Sequence, residues 1–205
     1  MCINNSMCGC SSNNNMECTA QLGPFEAIDA ACITAPVATG SIIPFSSGIT
    51  PVVLTTLVGG LVGTVSLIGF GTAIPGVTLA GTNIDLTAVT GTEAFSVPRA
   101  GTITSISASF TATVALDLLG TAQVRAQIYR APAGSNVFSP TTAFVDLTPA
   151  LSTIAVGTIA SGTANVAPVP VAAGDRLLMV YSVTTTGLAV ATTLTGNASA
   201  GINIV

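Results

Sequence analysis

A long alternation of apolar and hydroxyl-bearing side chains constrains the fold more than any other feature of this sequence. Between residues 105 and 118, every second residue is apolar: Ile106, Ala108, Phe110, Ala112, Val114, Leu116 and Leu118. Most residues between them carry a hydroxyl: Ser105, Ser107, Ser109, Thr111 and Thr113. Successive side chains of a β-strand point to opposite faces, so one face would enter a core and the other would meet solvent. The pattern predicts a half-buried β-strand across residues 105–118.

Further strand patterns and turn signals follow along the chain. Val124, Ala126 and Ile128 alternate with Arg125, Gln127 and Tyr129, and residues 198–204 alternate in the same way. Residues 177–183 are almost entirely apolar, as expected of a central strand that is buried on both faces. Turn-forming residues at 98–101, 131–134 and 173–175 separate these segments. Short strands without helical periodicity predict an all-β sandwich or barrel.

The few charged residues exclude several classes of function. The 205 residues include four arginines, no lysine, eight acidic residues and no histidine, giving a net charge of -4. No basic stripe exists to neutralise phosphates, which excludes nucleic-acid binding. The absence of histidine and lysine removes the usual general bases, Schiff-base amines and imidazole metal ligands. We therefore expect no enzymatic activity, no cofactor and no metal.

The composition also predicts self-association. Hydrophobic residues make up 49% of the chain and charged residues only 6%, against about 25% charged in an ordinary soluble domain. Such a surface is either covered by small hydroxyl side chains or buried against copies of itself. We expect both, and the main expected partner is the chain itself.

One apolar segment is long enough to be considered as a membrane span. Residues 52–74 carry no charge, and Gly59 and Gly63 have the spacing of a helix-packing pair. However, the segment is rich in glycine and β-branched residues, and no basic residue flanks it. We expect no span, with a membrane-active role as a less favoured alternative. The N-terminus, which has no basic residue, does not match a secretory signal peptide.

The N-terminal region differs in composition from the rest of the chain. Residues 4–15 are rich in Asn, Ser and Gly, which favour turns and disorder. Residues 22–33 form a short apolar segment whose candidate docking side chains are Leu22, Phe25, Ile28 and Ile33. We therefore predict a flexible, cysteine-rich connector arm over residues 1–39, followed by a β domain over residues 40–205.

All five cysteines lie in this arm: Cys2, Cys8, Cys10, Cys18 and Cys32. Because the count is odd, at least one would bond outside its own chain if all were oxidised. We interpret them as candidates for disulfides between subunits. Two alternatives stay open, namely idle reduced thiols and a zinc site, although the spacing lacks paired C-x-x-C sequences.

Four charged residues are candidates for ion pairs at a subunit interface. Asp175 and Arg176 adjoin a predicted turn, where they could instead pair within the turn. Arg125 and Arg130 flank Tyr129 in the sequence, on a face that we expect to point outward. We interpret this face as an interface rather than as a ligand site.

Four segments carry a resemblance to a known family. They are residues 40–48 (GSIIPFSSG), 59–71 (GGLVGTVSLIGFG), 95–110 (FSVPRAGTITSISASF) and 174–182 (GDRLLMVYS). In this order and spacing they resemble the C-terminal domain of BclB-related collagen-like exosporium glycoproteins of spore-forming Bacillus-type bacteria. The resemblance covers about residues 40–205. It implies a jelly-roll β-sandwich similar to tumour necrosis factor and C1q heads, a homotrimer and a place on the spore surface, and it supplies no enzymatic residues.

The sequence departs from this family before residue 40, where a collagen-like stalk would be expected and the cysteine-rich arm stands instead. We therefore expect a self-assembling structural subunit of an exosporium fibre or appendage. Its trimeric heads would be linked head to tail by the arms, and disulfides would cross-link them. Other exosporium proteins would be further partners. The alternative is a trimeric head that binds a ligand or adheres at the spore surface.

Overall fold

The computed structural model describes residues 19–22, 25–28, 40–89, 91–187 and 191–205. The chain divides into two compact units, residues 1–39 and residues 40–205. In the first unit, strands β1 (Thr19–Leu22) and β2 (Phe25–Ile28) pair in antiparallel fashion, with Leu22 opposite Phe25.

The second unit consists almost entirely of strands. Those assigned among its described residues are β3 (Ser41–Ser46), β4 (Val52–Thr55), β5 (Thr64–Ile68), β6 (Ala73–Thr78), β7 (Ile84–Asp85), β8 (Phe95–Ser96), β9 (Gly101–Ala112), β10 (Leu116–Ala131), β11 (Val137–Asp146), β12 (Leu151–Ile154), β13 (Ile159–Val171), β14 (Arg176–Gly187) and β15 (Thr193–Ile204). A single 3₁₀ turn at Leu86–Ala88 interrupts them in the part of the chain that the structure describes. Its first turn is capped by the Asp85 carboxylate, which accepts a hydrogen bond from the backbone N–H of Thr87.

These strands form two antiparallel sheets. The five-stranded sheet has the order β13-β9-β15-β3, and β4 also pairs with β15. The eight-stranded sheet has the order β6-β5-β14-β10-β11-β7, with β12 on β10 and β8 on β14. The chain passes repeatedly from one sheet to the other. Strands β9, β13 and β15 belong to the five-stranded sheet, whereas β10, β11 and β14 belong to the eight-stranded sheet. This arrangement confirms the prediction of an all-β, jelly-roll β-sandwich.

The main core lies between the two sheets. Its largest fully buried side chains include Phe45, Leu54, Phe110, Ile128 and Tyr181. Along β9, buried Ile106, Ala108 and Phe110 alternate with hydroxyl residues on the outer face, as the sequence predicts. The repeat of an apolar residue at every second position therefore decides which side of each long strand enters the core.

The predicted strand over residues 105–118 is wrong in its extent. Strand β9 ends at Ala112, and β10 begins at Leu116 in the other sheet. Apolar alternation runs through the intervening turn because Val114 is apolar although it is 55% exposed. The alternation indicates which face of a strand a side chain occupies, but it does not indicate where one strand ends and the chain passes to the other sheet.

The side chain of Tyr181 joins the two sheets across the core. Its hydroxyl lies 3.1 Å from the carbonyl oxygen of Ser109 and 2.8 Å from that of Ser199, to which it donates. These carbonyls belong to β9 and β15, whereas Tyr181 belongs to β14. Burial raises the pKa of Tyr181 far above its ordinary value, although the bond to Ser109 lowers it. The hydroxyl therefore stays protonated and serves as a donor.

Replacing Tyr181 with phenylalanine should lower the free energy of unfolding by about 1–2 kcal/mol, because the ring stays packed while buried acceptors lose their donor. Denaturant titration followed by tyrosine fluorescence and circular dichroism measures the change. Tyr129→Phe is the matched control, because the Tyr129 hydroxyl forms no hydrogen bond among the residues that the structure describes. Equal stability of the two variants would contradict the assigned role of Tyr181.

A second, smaller core covers the outer face of the eight-stranded sheet. Leu178 and Val180 of β14 and Tyr129 of β10 pack there against Ile84 and Leu86, which follow β6 in the chain. This layer explains why residues 177–183 are apolar on both faces, and it confirms the prediction that they form a central strand. It also corrects the expectation that Tyr129 lies on a solvent-exposed face, because this layer covers the side chain and leaves it only 7% exposed.

The β domain begins and ends at the same place. Ser41 of β3 pairs with Ile204 of β15, and Gly40 has a φ of 81°. A Cβ atom at residue 40 would lie 2.7 Å from the carbonyl oxygen of Ile204 and 2.8 Å from Val205 Cγ1. Glycine is therefore required both by the backbone conformation and by the close approach of the C-terminal strand.

Candidate assembly interface

The outer face of the five-stranded sheet presents a regular array of small side chains. Read across β13, β9, β15 and β3, three successive rows are Asn165–Ser105–Asn203–Ile42, Thr163–Ser107–Gly201–Pro44 and Ser161–Ser109–Ser199–Ser46. We call these twelve residues the grid face. None of them is charged. Solvated surfaces of soluble proteins normally intersperse lysines, arginines and acids, so a charge-free sheet face is suited to contact with another protein surface.

The hydroxyls of the grid face bond to one another along its rows. Ser107 Oγ lies 2.8 Å from Thr163 Oγ1, and Ser109 Oγ lies 2.9 Å from Ser199 Oγ. These pairs already satisfy part of the hydrogen-bonding capacity of the hydroxyls. Covering the face therefore costs less than covering the same number of unpaired polar groups.

Large apolar side chains lie at the two edges of the same sheet. Ile42 of β3 is 77% exposed, and Ile159 of β13 is 57% exposed. With 12 residues in β9, at about 3.4 Å per residue and three spacings of about 4.8 Å across the four strands, the sheet measures roughly 590 Å². That area is about three quarters of the roughly 800 Å² that each partner contributes to a standard protein interface. The sheet can thus supply most of the area that stable self-association needs.

Two turns of the β domain expose further apolar side chains. Ile49 is 99% exposed in the turn before β4, and Val58 is 80% exposed in the turn before β5. Leu57 and Leu61 flank Val58 and are also exposed, and the Leu57 N–H donates to the Leu61 carbonyl at 2.8 Å. In the sequence, residues 52–74 form one apolar run. The structure divides it into buried strand residues and exposed turn residues.

The predicted interface arginines have partners inside their own chain. Arg125 Nε and Nη2 donate to the two carboxylate oxygens of Asp146 at 2.7 and 2.8 Å, and this hydrogen-bonded pair raises the Arg125 pKa. The Arg125 guanidinium also lies 4.1 Å from the centre of the Phe144 ring. Arg130 Nη1 donates to the Pro170 carbonyl at 2.6 Å and lies 3.8 Å from an Asp175 carboxylate oxygen.

Asp175 and Arg176 form hydrogen bonds with different parts of the chain. The buried Asp175 carboxylate accepts from the Ala172 N–H at 2.9 Å and thereby stabilises the turn before β14. Arg176 donates to the Asn136 side chain at 2.8 Å and to Thr92 Oγ1 at 3.1 Å. A role for any of the four residues between subunits stays a prediction.

The arm residues fall largely outside the described part of the chain. Cys2, Cys8, Cys10, Cys18, Cys32 and Ile33 lie outside the described residues. Leu22 lies on β1, and Phe25 and Ile28 lie on β2. Their predicted roles in cross-linking and docking stay predictions.

Neither a cluster of metal-binding side chains nor a membrane-spanning helix is present in the part of the chain that the structure describes. None of the described residues belongs to a group of three or more His, Cys, Asp or Glu side chains placed to hold a metal ion. Likewise, none of the described segments is a helix of sufficient length and hydropathy to cross a membrane.

Comparison with known proteins places the chain beside a collagen-like protein. No protein-family model matches it. It is 39% identical, over 174 residues, to "Collagen-like protein 1" of Acanthamoeba polyphaga mimivirus, an alignment that covers 80% of this chain and 18% of the relative. The chain thus spans less than a fifth of the length of that relative. The likeness is therefore to a part of a collagen-like protein, and a C1q-type domain in this chain stays a prediction. The narrower resemblance to exosporium glycoproteins stays a prediction.

Proposed function

We propose that this protein is a self-assembling structural subunit whose β domains form trimers through the outer face of the five-stranded sheet. The charge-free grid face carries this proposal, because its size and composition suit contact with another copy. The likeness to a collagen-like protein supports a structural role at a biological surface. A trimer requires the grid face of one head to meet a different patch of the next head, because such a contact forms a closed ring when its rotation allows.

The arm supplies the second level of the proposed assembly. Each arm reaches a neighbouring trimer, where its apolar segment docks against a head and its cysteines form disulfides between subunits. A segment that orders only on binding contributes limited affinity, and covalent bonds remove that weakness. Head-to-tail contacts of this kind do not close, so they generate filaments. The motifs shared with exosporium glycoproteins favour the spore surface as the location.

Deleting residues 1–35 should convert filaments of the full chain into separate trimers, whose mass is three times that of the shortened chain rather than three times the full 20.1 kDa. The reason is that the deletion removes the arm and leaves the β domain intact. Negative-stain electron microscopy shows the filaments, and light scattering after size exclusion gives the particle mass. Unchanged filaments from the deleted protein would contradict the role of the arm, and a monomeric full chain would contradict the whole proposal.

The full-length variant with all five cysteines changed to serine separates docking from cross-linking. Without reductant, the native filaments should give a ladder of oligomers on a denaturing gel, whereas this variant should give one band. A single monomer band from native filaments without reductant would contradict the proposed disulfides and leave the docking proposal standing.

A further inference from the structure

A polar cleft lies on the opposite sheet from the grid face. It has a volume of about 200 Å³ and lies on the outer face of the eight-stranded sheet. Its polar side is formed by Gln123, Arg125, Gln127, Tyr129, Ser182 and Thr184. Val62, Val65 and Leu79 form its apolar side. We call this the Gln127 cleft.

The strand register brings the polar side chains of the cleft together. Gln123, Arg125, Gln127 and Tyr129 occupy alternate positions of β10, so they share one face of the sheet. On the neighbouring β14, Ser182 is opposite Arg125 and Thr184 is opposite Gln123. These residues stand on the two central strands of a sheet, so the polar groups are held on rigid backbone.

Several polar groups in the cleft are held in place and still have hydrogen-bonding capacity. The side-chain amides of Gln123 and Gln127 donate to the carbonyls of Leu147 and Thr141 at 2.6 and 2.7 Å, which fixes the orientation of both amides. Within the described parts of the chain, no group donates to their amide oxygens. The hydroxyls of Tyr129, Ser182 and Thr184 also form no hydrogen bond with any residue that the structure describes. A ligand with several hydroxyls could use both the acceptors and the donors.

The charge balance of the cleft selects the class of ligand. Arg125 and Asp146 are the cation and the anion that line it, and their two hydrogen bonds at 2.7 and 2.8 Å leave the pair neutral overall. The Phe144 ring beneath Arg125 further holds the guanidinium in this geometry. An anionic ligand would have to compete with Asp146 for Arg125, whereas an uncharged ligand would leave the pair intact.

We propose that the Gln127 cleft binds one neutral sugar ring, as a monosaccharide unit of a glycan. The hydroxyls of the ring would bond to the two glutamines and the three hydroxyl residues, and its C–H face would pack against the partly exposed side chains of Val62 and Leu79. Ligand sites are commonly built from an apolar wall and a few convergent polar groups, and those for drug-sized molecules are about 300–1,000 Å³. A cleft of about 200 Å³ fits a smaller, single-ring ligand. This inference goes beyond the proposed assembly and does not depend on it.

The test uses the full chain and ligand-observed saturation-transfer NMR. The probes are the methyl glycosides of glucose, galactose, mannose and N-acetylglucosamine, with methyl glucuronide as the charged comparison. At least one neutral glycoside should bind with a Kd of the order of millimolar, as expected of so small a ligand. No binding of any neutral glycoside at about 50 mM, well above that Kd, would overturn the proposal. Tighter binding of the glucuronide than of methyl glucoside would also overturn it.

Matched variants locate the binding. Tyr129→Phe and Ser182→Ala each remove one hydroxyl from the cleft and should weaken binding about tenfold, the effect of one hydrogen bond of about 1.4 kcal/mol. Tyr181→Phe and Ser199→Ala make the same changes in the core and on the grid face, and they should leave the Kd unchanged. Binding that survives both cleft variants, or that is lost equally in the controls, would show that the sugar binds elsewhere.

Discussion

In the protein that lacks residues 1–35, replacing Ser107 with arginine should convert the separate trimers into single chains. Ser107 lies in the middle row of the grid face, between Thr163 on β13 and Gly201 on β15. A long cation there would be buried in the interface without an acidic partner, because no residue of the grid face is charged. Unpaired or like charges across an interface cost several kcal/mol. We expect the apparent Kd of the trimer to rise at least about 100-fold, since 1.4 kcal/mol corresponds to tenfold.

The matched control places the same substitution on the other sheet. Ser152 is an exposed residue of β12, which pairs with β10 in the eight-stranded sheet. Ser152→Arg should leave the oligomer intact, as measured by light scattering across a concentration series. Circular dichroism checks that both variants keep their β-structure. If Ser107→Arg stays trimeric, or if both variants dissociate equally, the trimer does not use the grid face.

Truncating Phe110 to alanine should lower the free energy of unfolding by about 3–5 kcal/mol, the usual cost of removing a buried phenylalanine side chain. Phe110 is completely buried between the sheets. Its ring lies against Gly196 of β15, where an added Cβ would come within 2.6 Å of the Phe110 Cζ atom. Because the backbone approaches so closely on that side, the surrounding strands can collapse little into the cavity. At about 2–4 °C per kcal/mol, a domain of this size should lose roughly 10 °C or more in Tm.

Phe144→Ala is the control for this substitution. Phe144 lies on the outer face of the other sheet, where it is 37% exposed and contacts the Arg125 guanidinium. Losing this contact should cost about 1 kcal/mol or less. Both variants must be compared at the same chain concentration, because assembly adds to apparent stability. Similar losses in the two variants would contradict the placement of Phe110 at the centre of the core.

The alternation of apolar and hydroxyl residues was sufficient to predict the fold class and the face of the long strands. Ile106, Ala108 and Phe110 enter the core as predicted, and residues 177–183 form a central strand. The pattern did not reveal the end of β9, because apolar Val114 continues the period through a solvent-exposed turn. Nor did it reveal that Tyr129 is buried, since the layer that covers it comes from residues around Ile84 and Leu86, more than 40 positions earlier in the sequence.

The candidate sites needed the register of the strands. Ser107, Ser109 and Ser199 could be recognised as outward-facing from sequence, but their assembly into one face depends on which strands are neighbours. The Gln127 cleft depends likewise on β10 lying beside β14, which begins 45 positions after the end of β10. From sequence alone Arg125 is interpreted as an interface residue, because its partner Asp146 can be identified only once β10 and β11 are paired. Long-range pairing, rather than local propensity, determines these features.

The close approach of Gly40 to Val205 bears on how this domain can be joined to other polypeptides. Because both ends of the sandwich meet at one corner, a tether entering before residue 40 and a partner fused after residue 205 would depart from the same pole of the head. Such a geometry allows a head to be inserted into a longer polypeptide as a side module, with the flanking chain continuing almost as if the insertion were absent.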